Sequence, residues 1–192
     1  MNELISKIEQ WAEDRNIIKG SKPIDQAMKL FSEFGELADN VGKGRDCRDD
    51  IGDVFVVLTI IAKQIEIHNR KKINIFHSVK RLDHFSFVKT ESNAKSNVIN
   101  ICNRLYLFTK YFNKPKLNDL IISIQFLLTT LGYTLEECVQ IAYNDIKDRK
   151  GLMHNGVFIK ESDPAYQDAL DNIEADKRMA TQKRISVNLE DL

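Results

Sequence analysis

The sequence predicts an all-α fold. Only eight glycines and three prolines punctuate 192 residues, apolar residues recur at three- and four-residue spacing over long runs, and those runs start and stop on capping signals. Little or no sheet is expected. The length suits one substantial domain, residues 1–192, or a domain carrying a large insertion.

Leu4, Ile5, Ile8, Trp11 and Ala12 form one stripe of a first amphipathic helix that ends near Asn16, ahead of a loop reading NIIKGSK. A second helix opens at Pro23, whose missing amide is harmless in a first turn, and runs to about Val41. Residues 42–46 (GKGRD) break the pattern, and Asp46 is placed as N-cap of a third helix reaching about Ile67. Residues 68–95 interleave Arg70, Lys71, Lys72, Lys80, Arg81, Lys89 and Lys95 with Ile75, Phe76, Phe85 and Phe87, and read as an irregular or extended connection.

Helical periodicity returns over residues 97–112 and 117–131, separated by NKPK. Thr134 with Glu137 is a capping box opening another helix, which ends at Gly151 after Lys147, Arg149 and Lys150. HNG at residues 154–156 signals a tight turn between GLM and VFIK. The charged last thirty residues, about 162–192, read as a peripheral helix with a frayed end.

Lys plus Arg and Asp plus Glu each number 28, so no global charge steers the chain toward nucleic acid or an anionic membrane. Cys47, Cys102 and Cys138 are odd in number and lack CxxC spacing, which argues against a disulfide framework and a zinc site and favours a reducing cytosol. The acidic start, with Glu3, Glu9, Glu13 and Asp14, lacks the pattern of a signal peptide. Residues 54–62 are apolar but far short of the ~20 that a membrane span requires. A cytoplasmic protein is the expectation, with nucleic acid not favoured as a partner.

The residues of chemical interest are two carboxylate pairs beside the most apolar run. On the second helix Gln26, Lys29, Glu33, Glu36 and Asn40 share a narrow polar strip that borders the core-facing residues Leu30, Phe34, Leu37 and Val41. On the third helix the row through Asp50 and Asp53 continues as Val57 and Ile61, so its aspartates point where core residues would otherwise go. Several buried like charges either take up protons or need a positive partner. A divalent cation is the natural one, and an all-oxygen set without His or Cys favours Mg²⁺, with Mn²⁺ as a substitute, over zinc. The competing reading is a solvated helix face with N-terminal acids favouring the dipole, which suits Asp46 and Asp49 better than the paired set.

KLFSEFGEL, followed after a short loop by DDIGDVFVVL, resembles the E-x-x-E and E-x-x-D halves of the all-α MazG-like nucleoside triphosphate pyrophosphohydrolases. AYNDIKDRKGLMHNGVFIKE, residues 142–161, looks like the closing segment of the phage and bacterial versions. With the first helix these blocks span a little over half the chain. The resemblance implies a helical bundle and Mg²⁺-dependent cleavage between the α- and β-phosphates, giving nucleoside monophosphate and pyrophosphate. It implies Glu33, Glu36, Asp50 and Asp53 as metal ligands and catalytic residues, with their ions helping to activate a water. Asn144 and Lys147 match the downstream polar pair that would reach substrate phosphate or sugar. Gln26 and Lys29, on the glutamates' own face, and Arg149 join them as candidate substrate contacts. For Lys147 and Arg149, compensation of the helix dipole is an equal alternative. Trp11 reads as core ahead of a base-stacking platform.

Two departures from the family pattern stand out: Ser32 where many members have Glu, and Asp50 in place of the Glu of E-x-x-D. The largest is an insertion, residues 66–130. Within it residues 99–108 can be laid on residues 32–41, and residues 118–128 on residues 52–62. Asn100 and Asn103 then stand at Glu33 and Glu36, Lys116 at Asp50, and only Asp119, at Asp53, keeps its carboxylate. This suggests a degenerate second helix pair that completes the bundle without metal, although any two amphipathic helices align comparably. Family sites are built between subunits, so a homodimer is expected. The alternatives are a base-selective dUTP or dCTP pyrophosphatase and a catalytically weak nucleotide-binding or regulatory protein.

Overall fold

The computed structural model describes residues 1–69, 75–80 and 93–181. It is all-α: among the described residues there are helices α1 (Asn2–Asp14), α2 (Ile17–Gly20), α3 (Pro23–Lys43), α4 (Arg48–Asn69), α5 (Ile75–Lys80), α6 (Ala94–Tyr111), α7 (Lys114–Leu131), α8 (Leu135–Ile146) and α9 (Tyr166–Thr181). The one sheet among them is an antiparallel hairpin, β1 (Gly151–His154) with β2 (Val157–Lys160), pairing Leu152 with Ile159 and Met153 with Phe158. None of the described helices is long and apolar enough to cross a membrane.

Helix α4 is the axle. Ile51, Val54, Phe55, Leu58, Ile61 and Ile65 are fully buried, and Val56, Val57 and Ile60 on its other sides are nearly so. A helix apolar all round must be covered all round, and α3, α8 and α1 cover it. The α8 crossing is tight because Gly52 faces the Cys138 carbonyl, where a Cβ would lie 2.2 Å from that oxygen. Helix α6 pairs with α7 and lies against α3, so the insertion does pack on the helix that carries Glu33. One apolar core runs through α1 to α8 and reaches Met153, while Leu152, Ala169 and Ile173 form a small satellite under α9.

Several ends obey local chemistry. Asp25 Oδ2 accepts from the Lys22 amide at 2.7 Å at the start of α3, and Gly44, at φ 66, closes α3 with its amide bonded to the Val41 carbonyl. Thr134 Oγ1 accepts from the Glu137 amide as the expected N-cap of α8, and it donates to the Glu137 carboxylate in place of the backbone bond that would complete a capping box. Asn155 and Gly156 both have positive φ, as a two-residue turn of the I′ type requires.

Some expectations shift. The NIIKGSK loop contains α2, because Ile17 and Ile18 are buried and Gln64 of α4 donates to the Ser21 carbonyl beneath it. Helix α3 continues through Gly42 to Lys43. Asp46 accepts from the Arg48 amide and grips the Arg48 guanidinium, but Cys47 separates it from the helix start. Helix α8 ends at Ile146, before the basic run and not after it. The expected irregular connection is helical over the end of α4, over α5, whose Ile75 is buried, and from Ala94, and it is extended at Asn93; residues 70–74 and 81–92 lie outside the described residues. The tail forms α9 to Thr181, and residues 182–192 also lie outside.

Candidate functional site

A cleft of about 380 Å³ opens between α3, α4, the segment after α8 and the hairpin. Glu33 of α3 and Asp53 of α4 both line it, and Asp25, Gln26, Lys29 and Arg149 are the other polar residues of its lining. Val56, Val57 and Ile60 of α4 make one apolar wall, and Trp11 and Phe158 make another. This is the usual composition of a small-molecule site, apolar walls with few convergent polar groups.

The charge is unusually placed. Glu33 is 6% exposed, and its Oε1 is in direct contact with the Lys29 ammonium one turn earlier. Burial, then the charge of Glu33, then that of Asp49 push the Asp53 carboxyl up to about 7, against the opposing pull of Arg149 and Lys29. Asp49 is also raised, first by burial and then by Asp145 and Asp50. The cleft thus has more negative charge than its own cations neutralise. Gln26 is buried and donates to Ser21 Oγ at 3.0 Å, so its amide is already held.

Other candidates lie outside the cleft. Glu36 is exposed on α3. Asp50 Oδ2 accepts from Asn40 Nδ2 at 2.8 Å, and that bond ties the end of α3 to the start of α4. Asn144 is exposed and accepts from Gln140 Nε2, and the Lys147 side chain is exposed. The four acids therefore do not form one sphere, and among the described residues no three acidic, His or Cys side chains converge as a ready-made metal centre. Glu33 and Asp53 still suit Mg²⁺, which is commonly held by one or two carboxylates and completed by water and substrate phosphate.

No protein-family model matches the chain, and no solved structure matches it. It is 51% identical over 69 residues to an uncharacterized 18.2 kDa protein in the rep-hol intergenic region of Haemophilus phage HP1 (strain HP1c1). The match covers 35% of this chain and 42% of the phage protein, so the chain spans less than half the length of that relative.

Arg15 is a residue that sequence reasoning passed over. Its Nε donates to the Arg149 carbonyl at 2.6 Å and its Nη2 to the Lys147 carbonyl at 3.0 Å, while the guanidinium lies 4.9 Å from the centre of the Trp11 ring. It clasps the chain after α8 and so sets where Arg149 stands. No local signal marks it, because the two carbonyls it clasps lie more than 130 residues away. Arg15→Gln keeps a polar group but loses this fork. The expected outcome is a loss of about 1 kcal/mol in stability, read by urea denaturation.

Proposed function

We propose that the cleft binds a (deoxy)nucleoside triphosphate and supports its hydrolysis between the α- and β-phosphates, with Mg²⁺, to monophosphate and pyrophosphate. The observation that carries this reading is the pair Glu33 and Asp53, two carboxylates that line one cleft with Lys29 and Arg149, the first met by Lys29 and the second raised by burial and by its acidic neighbours. The likeness of KLFSEFGEL and DDIGDVFVVL to the MazG-like enzymes supports it from the sequence side.

Glu33 and Asp53 would hold the cation. When bound, the cation supplies charge to offset that developing on the phosphates and lowers the pKa of a coordinated water. Lys29 and Arg149 bind phosphate oxygens, as a point charge and a planar fork. Val56, Val57, Ile60, Phe158 and Trp11 take the apolar faces of base and sugar and keep bulk water from the polar edge.

Lys29 has a second role in this scheme. In the metal-free protein its ammonium neutralises Glu33, so it competes with a divalent ion for that carboxylate. Lys29→Met is therefore expected to tighten Mn²⁺ binding in the absence of nucleotide by a few-fold and to weaken triphosphate binding. Calorimetric titration with each ligand checks both directions.

The reading is tested by incubating the protein with Mg²⁺ and a panel of ribo-, deoxy- and modified triphosphates and identifying the products. Monophosphate plus pyrophosphate, lost in Asp53→Ala, is the expected result, and broad or narrow use of the panel separates a general enzyme from a dUTP- or dCTP-selective one. Primary release of orthophosphate contradicts it. A second reading, nucleotide binding with weak turnover, is favoured by the placing of Glu36 and Asp50 outside the cleft. Binding without turnover in folded protein would select it.

A further inference from the structure

A second cleft, of about 440 Å³, lies on the α6–α7 pair. Its position follows from the alignment within the chain. On α7 it is lined by Asp119, Ile122, Ser123 and Phe126, and at an offset of 66 residues these stand at Asp53, Val56, Val57 and Ile60, the residues α4 gives the first cleft. On α6 it is lined by Asn97, Asn100, Asn103 and Arg104, of which Asn100, at Glu33, stands at a residue of the first cleft. Each wall is one helix face at positions i, i+3, i+4 and i+7, opening on a pocket in both helices.

The chemistry has been inverted at the polar end. The first cleft has Asp25, Glu33 and Asp53 against Lys29 and Arg149, three acids and two bases. The second has one acid, Asp119, against Arg104, and Lys116 stands beside it as well. Asp119 Oδ2 lies 3.5 Å from Lys116 Nζ and 3.9 Å from an Arg104 guanidinium nitrogen, so its charge is met by the protein's own cations. Such a site has no need of a divalent ion. Asn100 and Asn103 are exposed, and amides offer a donor and an acceptor to the edge of a heterocycle. Phe126, 40% exposed, adds an aromatic edge to the wall. Arg104 and Lys116 together exceed Asp119 by one positive charge, which suits an anionic group on the ligand.

We infer that the α6–α7 cleft is a non-hydrolytic site for a nucleoside monophosphate, bound without metal. The inference rests on the reading of the first cleft as a nucleotide site, because the ligand class is carried across by the shared wall. A monophosphate is also what the proposed reaction releases, so the second cleft would sense product.

The test is calorimetric titration of the full chain with ribo- and deoxynucleoside monophosphates in EDTA. Saturable binding is expected that persists in Asp53→Asn and weakens at least ten-fold in Arg104→Ala. Asn100→Asp, which keeps shape and adds a negative charge, is expected to weaken it similarly, with thermal melting to confirm that both variants fold. Triphosphate hydrolysis at low product concentration stays unchanged in both. Absence of binding in EDTA overturns the inference, as does binding abolished by Asp53→Asn and indifferent to Arg104→Ala. Failure of hydrolysis with EDTA-resistant binding intact would remove the enzymatic reading and leave the second site standing.

Discussion

Asp53→Asn is expected to abolish turnover while making the metal-free protein more stable. The loss of activity, on the order of 100-fold or more, follows from removing one of the two carboxylates, Glu33 and Asp53, proposed to hold the cation. The gain in stability follows from the same charge. Asp53 has a folded-state pKa of about 7, raised first by burial and next by Glu33, against about 3.9 for an unfolded aspartate. A raised carboxyl binds more protons in the folded than in the unfolded state between those values, so stability is highest at the acid end of this window and falls as pH rises toward 7. The cleft is open on one side, and solvent screening reduces the penalty above pH 7 to on the order of 1 to 2 kcal/mol. Asparagine removes the penalty and the slope with it.

Urea denaturation in EDTA at pH 5 and pH 8 measures this. The wild type is expected to lose stability between the two and Asp53→Asn to lose less. Adding Mn²⁺ at pH 8 should then raise the stability of the wild type and leave the variant nearly unmoved, since only the first has the charge that the ion satisfies. A variant less stable than wild type at pH 8 without metal would mean that Asp53 is a structural carboxylate, held by partners it cannot lose. The site would then have to be sought elsewhere.

Much of this arrangement was legible because it is local. Pairs three and four residues apart share a helix face whatever the tertiary structure, so Lys29 with Glu33, and Asp53 in the row of Val57 and Ile61, could be placed from spacing alone. Thr134 with Glu137 and the Asn155–Gly156 turn were legible for the same reason. Asp50 was not. It falls on the same row as Asp53, but its outcome depends on how α3 and α4 cross, and that crossing brings Asn40 within 2.8 Å of it. Glu36 fails similarly: it continues the polar strip at a level where the cleft has already ended, and a helical wheel carries no information about where along the axis a neighbour stops. Arg149 could be named as a candidate but not placed, and Arg15 was passed over, because both depend on contacts across most of the chain, where periodicity is silent. The brief α2 was hidden because four residues are too few to show a period.

Gly52→Ala is expected to be the most damaging small change in the core. An added Cβ there would sit 2.2 Å from the Cys138 carbonyl oxygen and 2.7 Å from Ala142 Cβ, against backbone that cannot swing aside as a flexible side chain would. Alanine gains about 1 kcal/mol in helix propensity over glycine, but opening a close-packed crossing costs more, typically 1 to 3 kcal/mol and sometimes beyond. A net loss of about 1 to 3 kcal/mol should appear as a fall of several degrees in Tm. Gly35→Ala is the internal control, because its Cβ meets nothing within 4 Å on the exposed side of α3. It should gain the propensity term without the clash and come out more stable than wild type. The same shift reaches the site, since Arg149 lies three residues past the end of α8 and moves with it. Gly52→Ala should therefore raise the nucleotide KM as well as lower stability, whereas Gly35→Ala should leave KM alone. Equal stability of the two variants would place the α4–α8 crossing elsewhere along the helices and with it the position of Arg149 relative to Asp53.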